Sequence, residues 1–99
     1  MPRPRICRRI SFKPGITYFK PAGIPMRKLK EIVLSYSELE AVRLKDLEGL
    51  EQIKAAKKMG ISQPTFNRLL RIARKKISTA IVKGQAIRVE GGKYKIIKR

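Results

Sequence analysis

The chain has 99 residues, which is enough for one domain with one small core. Its 25 basic and 7 acidic residues give a formal net charge of +18, more than solubility requires, and this charge favours nucleic acid as a partner. One cysteine, no histidine and no apolar run of ~18 residues exclude a disulfide framework, a zinc site within one chain and a membrane span, so we expect a cytoplasmic protein without a cofactor.

The charge is distributed unevenly along the chain. Residues 1–30 contain nine basic residues and no acid, residues 31–51 contain two basic and six acidic residues, and residues 52–99 contain fourteen basic residues and one acid. The sequence leaves two explanations of the acidic block open. It either lies on the side of the protein that faces away from a polyanion, or it is a solvated helix face with internal pairs such as Glu40 with Arg43.

The N-terminal segment, residues 1–30, contains five of the six prolines: Pro2, Pro4, Pro14, Pro21 and Pro25. Because proline lacks an amide donor and interrupts helices, we predict a basic arm with short extended pieces. The best strand candidates are residues 5–12 (RICRRISF) and 16–20 (ITYFK). Cys7 either bridges two subunits or remains a reduced, partly buried thiol.

The segment that follows is predicted to lead into the first helix. Residues 31–35 (EIVLS) suit a short extended piece, and Ser37 followed by Glu40 is a capping-box pattern. We therefore expect a helix over residues 38–48, with Gly49 after it as a stop. The apolar residues that share one face of this helix are Leu39, Val42 and Leu47.

Residues 52–69 (QIKAAKKMGISQPTFNRL) have the most informative spacing in the chain. Ala56 is small enough for a close contact between helices, and Gly60 can supply the positive φ of a tight turn. Ser62 suits the N-cap of a second helix, with Pro64 in its first turn. The apolar positions form a mini-core: Ala55, Met59, Ile61, Phe66 and Leu69. This spacing predicts a helix-turn-helix, although helical hairpins without a DNA role share the same apolar pattern.

The third helix is expected to begin at Gln63 and to continue beyond the motif. An apolar stripe at helical spacing continues almost to Gly84, so the helix spans about 22 residues and completes a predicted helix-turn-helix domain of residues 31–84. The stripe consists of Phe66, Leu69, Leu70, Ala73, Ile77, Ala80 and Ile81. Its far half can pack on the N-terminal segment, the acidic helix or a second copy of the chain.

The outer face of residues 63–76 is predicted to read DNA in the major groove. Gln63, Asn67 and Arg68 suit base edges. Three further cations suit phosphates: Arg71, Arg74 and Lys75. The arginines of the arm either lie in a minor groove or form a disordered phosphate-binding tail: Arg3, Arg5, Arg8 and Arg9. The full predicted DNA-binding set is Gln63, Pro64, Thr65, Asn67, Arg68, Arg71, Arg74, Lys75, Arg3 and Arg5.

Residues 85–99 (QAIRVEGGKYKIIKR) are predicted to form a C-terminal β-hairpin with its turn at residues 90–93. The alternating apolar residues are Ile87, Val89, Tyr94 and Ile96. An isolated hairpin is marginally stable, so it has to dock; packing is the expected role and a DNA-touching wing the alternative. The predicted fold is therefore mostly α, a tri-helical helix-turn-helix core with an extended proline-rich N-terminal segment and this hairpin.

The chain resembles a family of small uncharacterised prokaryotic proteins that are predicted to bind DNA. The matching stretches cover nearly the whole length: MPRPRICRRI, TYFKPAGIPM, VLSYSELEAVRLKDLEGL, AAKKMGISQPTFNRLLRIARKKI and AIVKGQAIRVEGG. The helix-turn-helix of that family is similar to the sigma-factor region that binds the promoter's upstream element, which implies a tri-helical domain with its third helix in the major groove. Position by position, the resemblance implies base-facing roles for Gln63, Pro64, Asn67 and Arg68.

Two features depart from the family pattern. Glu51 stands where serine is usual at the start of the motif's first helix, which weakens the N-cap. Some relatives have additional cysteines near the N-terminus, whereas this chain has only Cys7. A metal or cluster role inferred for those cysteines therefore does not transfer to this chain.

The leading hypothesis is a sequence-specific double-stranded DNA-binding protein that regulates transcription as a dimer. The alternative is an RNA-binding or ribosome-associated basic protein, although Tyr18, Phe19 and Tyr94 do not form a recognised stacking platform. An enzyme is not expected, because the chain has no histidine, no metal-ligand cluster and no nucleophile signature.

A homodimer is expected because the C-terminal third of the chain offers more apolar surface than one thin tri-helical domain buries. The residues concerned are Ile77, Ile81, Val82, Ile87, Val89, Ile96 and Ile97. A two-fold pair would present two recognition helices about 34 Å apart, one turn of DNA. The competing explanation is that the proline-rich segment folds back over this surface within one chain.

Overall fold

The computed structural model describes residues 8–92 and 94–96. Its strands are β1 (Arg8–Ile10), β2 (Tyr18–Phe19), β3 (Glu31–Leu34), β4 (Ala86–Val89) and β5 (Tyr94–Ile96). Its helices are α1 (Tyr36–Val42), α2 (Gln52–Met59) and α3 (Gln63–Lys83), with a 3-10 turn over Met26–Lys28 and a π-helical turn over Arg43–Leu47. The protein is mostly helical, as predicted. The predictions for Arg3, Arg5, Cys7 and Ile97, and for the side chains of Tyr94 and Ile96, lie outside what is described.

The predicted N-terminal strands are present in shorter form as β1 and β2. Pro14 and Pro21 lie on either side of β2, and neither can donate an amide to a ladder. Immediately before β2, the backbone oxygen of Thr17 accepts a hydrogen bond from the amide of Val89 at 2.7 Å. This segment is therefore tied to the C-terminal strands.

Helix α1 begins two residues earlier than predicted, so the assignment of Ser37 as its cap is wrong. The cap is Ser35, whose hydroxyl accepts from the amide of Glu38 at 3.1 Å, while the Glu38 carboxylate accepts from the amide of Ser35 at 2.9 Å. The sequence contains two overlapping capping-box patterns, Ser35 with Glu38 and Ser37 with Glu40. The first pattern is used because Glu40 is bound elsewhere.

The predicted single helix to residue 48 is also wrong in detail. Its second half is a π-helical turn, in which the amide of Glu48 donates to the oxygen of Arg43 five residues back at 2.9 Å. This wider turn changes which side chains face inward, so Leu44 is buried and Leu47, predicted to face the core, is 76% exposed. Gly49 ends the segment with a φ of 75°, as expected for a stop.

The helix, turn and helix predicted between residues 52 and 69 are present at the predicted positions. Gly60 ends α2 in the left-handed conformation, with φ 67° and ψ 32°, and Ser62 caps α3 by accepting from the amide of Thr65 at 3.3 Å. Glu51 makes no side-chain cap at the start of α2, in agreement with the weak cap predicted there. The core at this junction consists of Ala41, Leu44, Ala55, Ala56, Met59, Phe66, Leu69 and Leu70.

Helix α3 has 21 residues, and its far half packs on the sheet formed by β2, β4 and β3. Ala73 is buried in a second cluster with Leu34 of β3 and Val89 of β4, and Ile77 packs against that cluster. Of the surfaces expected to cover this half of the helix, the acidic helix α1 is present through Leu39 and Val42, and strands β3 and β4, which were not predicted to do so, cover a further part.

The predicted C-terminal hairpin is wrong, because β4 and β5 do not pair with each other. Strand β4 pairs antiparallel with β2 and parallel with β3, so both of its edges are taken, and β5 pairs in parallel with β1. The turn before β5 instead lies on the start of α1, where the oxygen of Gly91 accepts from the amide of Tyr36 at 3.3 Å. A Cβ on Gly92 would lie 2.9 Å from the Cβ of Ser35, so only glycine fits this approach.

The carboxylate of Glu40 is buried at the centre of a polar cluster and joins the N-terminal segment to α1. It accepts from the amide of Ser11 at 2.8 Å and from Nε of Arg43 at 2.8 Å, and the hydroxyl of Ser11 donates to it at 3.1 Å. Burial alone would raise the pKa of Glu40, but the hydrogen bonds from Arg43 and Ser11 outweigh it and lower the pKa below its ordinary value of 4.5. The predicted pair of Glu40 with Arg43 is thus present, in a buried rather than a solvated setting.

Replacing Glu40 by glutamine should lower the free energy of unfolding by about 2 kcal/mol at neutral pH, because the amide cannot satisfy the charged donors that surround it. Because the pKa is lowered in the folded state, the contribution of Glu40 to the free energy of unfolding is complete above its ordinary pKa. This contribution is lost as the pH falls through the folded-state pKa. Urea unfolding between pH 7 and pH 2 should therefore show a shallower acid loss in Glu40→Gln than in wild type. Glu51→Gln, at an exposed residue, is the control, and an unchanged acid slope in Glu40→Gln would contradict the assignment.

Replacing Gly60 by valine should lower the free energy of unfolding by about 2 kcal/mol, because a β-branched residue is disfavoured at positive φ. The added Cβ would also lie 3.0 Å from Nε of Arg9. Gly15→Val is the matched control, since Gly15 has no positive φ and no atom lies within 4 Å of its added Cβ. Thermal unfolding measures both variants, and equal melting temperatures for the two would disprove the role of the turn.

Candidate nucleic-acid interface

The first half of α3 presents one face to the core and the opposite face to solvent. Phe66, Leu70 and Ala73 are fully buried against the other helices and the sheet. On a helix of 3.6 residues per turn, the residues opposite this stripe fall at positions 64, 68, 71 and 75. The predicted residues that are exposed are Gln63, Pro64, Arg68, Arg71, Arg74 and Lys75, while Thr65 and Asn67 are half-buried.

Three cations form the centre of the outward face of α3: Arg68, Arg71 and Lys75. They line a shallow depression of about 190 Å³ together with Ile72. No salt bridge neutralises any of the three within the described part of the chain. We call these three residues the α3 basic row. The structure brings them together as the sequence predicted.

Arg74 differs from the basic row, because its guanidinium is already held by an acid. Its Nε donates to Oδ2 of Asp46 at 3.0 Å, and its Nη2 donates to Oδ1 at 2.5 Å. Hydrogen bonding by Arg74 lowers the pKa of Asp46, and the same contact raises the pKa of Arg74. The pair connects α3 to the π-helical turn, so a phosphate at Arg74 has to compete with Asp46.

Thr65 and Asn67 lie on opposite flanks of the basic row. The hydroxyl of Ser62 donates to Oγ1 of Thr65 at 2.9 Å, which fixes the first turn of α3. Asn67 lies on the flank shared with Gln63 and Arg74, four residues from the first and seven from the second. Gln63 and Asn67, whose amide side chains are expected to contact bases, thus lie on the same side of the α3 basic row.

The acids of the chain are used in ion pairs rather than left as a solvated block. Six of the seven form salt bridges in the described structure: Glu31, Glu38, Glu40, Asp46, Glu48 and Glu90. Their partners are Arg43, Arg74, Lys76 and Arg88, which all lie outside the basic row. The positive charge of the row therefore remains uncompensated by near neighbours, and this strengthens the field that it presents.

Sequence reasoning missed two residues beside the interface. Ile72 is 41% exposed between Arg68 and Lys75, and its departure from the buried stripe was the available signal. Lys76 was not singled out, yet its Nζ donates to the oxygen of Val33 and to Oε1 of Glu38, both at 2.8 Å. No local sequence pattern connects Lys76 with residues about forty positions earlier.

Neither a metal-binding group nor a membrane-spanning helix occurs among the residues that the structure describes. No group of three His, Cys, Asp or Glu side chains there is arranged to hold a metal ion. No helix there has both the length and the apolar composition needed to cross a bilayer.

Residues 1–97 match the family model described as Protein of unknown function DUF134. The chain belongs to the DUF134 family. The UPF0251 protein of Moorella thermoacetica is 61% identical over 97 residues, which are 98% of this chain and 65% of that relative. The UPF0251 proteins of Desulforudis audaxviator and Halothermothrix orenii are 58% and 56% identical, over 100% and 99% of this chain and 65% and 73% of their own lengths.

This DUF134 chain therefore spans less than two thirds of the length of its relatives from Moorella and Desulforudis. No solved structure gives a significant match to it. The names of these relatives state no ligand or reaction.

Proposed function

We propose that this DUF134 protein is a sequence-specific double-stranded DNA-binding regulator of transcription, with α3 in the major groove. The observation that carries the proposal is the α3 basic row, which lies on an exposed helix face directly after a tight turn and has no ion-pair partner among the described residues. Guanidinium and amide groups on one helix face suit base edges and phosphates together. The two preceding helices hold that face outward.

A single-stranded RNA surface is less well supported than a DNA groove. The ring of Tyr18, one of the aromatic residues available for base stacking, lies 5.2 Å from the guanidinium carbon of Arg88, and its hydroxyl donates to Glu31 at 2.7 Å. Base stacking on the ring face that Arg88 covers would have to displace Arg88. The aromatic side chain is thus already in use within the fold.

We also propose that two copies associate through the far end of α3. Ile81 and Val82 are 74% and 83% exposed there, and Phe19 on β2, which lines the same groove as Ile81, is 55% exposed. Phe19, Ile81 and Ile87 line one groove of about 340 Å³. By contrast, Val89 is buried and Ile77 packs within the chain. The proposed dimer contact therefore includes fewer of the apolar residues than the sequence predicted.

Selection of bound fragments from random duplex DNA tests this proposal most directly. A preferred site should emerge, and its symmetry should report the oligomeric state. Affinity for that site should exceed affinity for structured RNA of equal length at equal salt. Equal or tighter binding of the RNA would replace the DNA proposal with the RNA-binding alternative.

Asn67→Ala and Arg68→Ala should each cost about 1 to 3 kcal/mol on the selected site and relax its sequence preference, because both residues are assigned to base edges. Lys75→Ala should weaken all duplexes alike and reduce the salt dependence by about one phosphate contact. Lys83→Ala, at the exposed far end of α3, is the control. Full discrimination between selected and random duplexes in both of the first two variants would mean that the reading face is elsewhere.

Ile81→Glu should convert the dimer to a monomer, because a charge is placed at the centre of the proposed contact. Light scattering at micromolar concentration measures the change in mass. Ile53→Glu is the matched control, since Ile53 is 57% exposed on α2 and lies outside the groove. A wild-type protein that is already monomeric would remove the dimer and leave the DNA proposal standing.

A further inference from the structure

A pocket of about 290 Å³ lies on one flank of α3 and shares Arg68 with the α3 basic row. It is formed where β1, the start of α1, the first turns of α3 and the 90–92 turn meet. The polar residues that line it are Arg8, Ser35, Ser37, Glu38, Thr65 and Arg68. These residues come from three separate parts of the chain, and Gly92 adds a fourth, so only the folded structure assembles them.

Arg8 carries an unusual feature in this pocket. Its Nε is buried and has no hydrogen-bond partner among the residues that the structure describes. A buried N–H without an acceptor costs free energy, and such a group in a native structure is commonly explained by an ion or water that completes the bonding. Arg8 also lines the pocket, and a guanidinium group suits the geometry of a phosphate.

Two hydroxyl groups add donors to the same pocket. The oxygen of Ser35 already accepts from the amide of Glu38, and the oxygen of Thr65 already accepts from the hydroxyl of Ser62. Each hydroxyl therefore retains its own proton for donation. Two guanidinium groups and two hydroxyl donors around one small space match the several acceptor oxygens of a phosphate.

The one carboxylate that lines the pocket does not oppose an anion strongly, because its charge is balanced. Oε1 of Glu38 lies 2.8 Å from Nζ of Lys76 and accepts from the amide of Ser35 at 2.9 Å. With Glu38 and Lys76 cancelling, Arg8 and Arg68 leave the pocket with a net positive charge. A cationic or neutral ligand would leave these charges without a partner.

We propose that this pocket binds a phosphate group through Arg8 and Arg68, with the hydroxyls of Ser35 and Thr65 as additional donors. The phosphate belongs either to the DNA backbone beside α3 or to a free phosphorylated molecule. The pocket itself does not depend on DNA binding, whereas the DNA-backbone source rests on the proposed function. Because Arg68 lies in both the pocket and the α3 basic row, a phosphate here also orients a residue assigned to base reading.

The test is a titration of the full chain with inorganic phosphate at constant ionic strength, followed by amide chemical shifts, with chloride as the control anion. Saturable shifts should cluster at residues 35–38 and 65–68 in the wild type. Arg8→Gln should weaken phosphate binding about tenfold and Thr65→Val about threefold, as expected for one lost charged and one lost neutral donor. Arg27→Gln, at an exposed residue of the 3-10 turn, should bind as wild type does.

The absence of saturable shifts at these residues up to tens of millimolar phosphate would overturn the proposal. So would wild-type affinity in both Arg8→Gln and Thr65→Val, and the use of two variants covers the case in which one fails to fold. Adding the selected duplex then separates the two sources. Displacement of the phosphate supports the DNA backbone, and simultaneous binding supports a free ligand. Phosphate binding without any duplex binding would support the pocket while the proposed function fails.

Discussion

The hydrogen bonds to the buried carboxylate of Glu40 are the contacts on which the packing of the N-terminal segment against the helices depends. A lone carboxylate at that depth would be costly, and the donors from Ser11 and Arg43 offset this cost. Because those donors occupy Glu40, α1 is capped by Ser35 instead of Ser37, and its inward face carries Ala41 and Leu44 towards the core under α2 and α3. The same carboxylate attaches the segment after β1 to the helices, so one ion-pair cluster couples the N-terminal part of the chain to the three-helix unit.

The position of β4 between β2 and β3 provides the second constraint. Two parallel neighbours need a long crossover, and the crossover from β3 to β4 here consists of α1, α2 and α3. The strands that precede and follow the three helices therefore pair with each other, which joins the two ends of the three-helix unit. Strand β2 pairs with the other edge of β4. This pairing holds the proline-containing segment against the sheet.

Features that depend on neighbouring residues in the sequence were predicted well. Features that depend on contacts between distant residues were not. Gly60, Ser62 and Pro64 each act through their own backbone, so the turn and the start of α3 were readable from sequence. The choice between two capping boxes depended on Ser11, twenty-nine residues from Glu40. The hairpin prediction failed for a similar reason, because the alternation in residues 86–96 is satisfied equally by an adjacent strand and by distant ones. Of the interface, the row of cations was predictable, whereas the hold of Asp46 on Arg74 and the position of Arg8 beside α3 depended on tertiary contacts.

The length and continuity of α3 have a mechanical consequence. Its 21 residues extend about 32 Å without a break at 1.5 Å per residue, so it behaves as one stiff rod. Its first half carries the outward cations, and its middle rests on β3 and β4 through Ala73 and Ile77, with Lys75 between these two residues. Because Lys75 lies between the two residues that pack against the sheet cluster, the strands and the outward cations are fixed to the same stretch of one helix. The strands therefore set the angle at which the outward cations are presented to solvent.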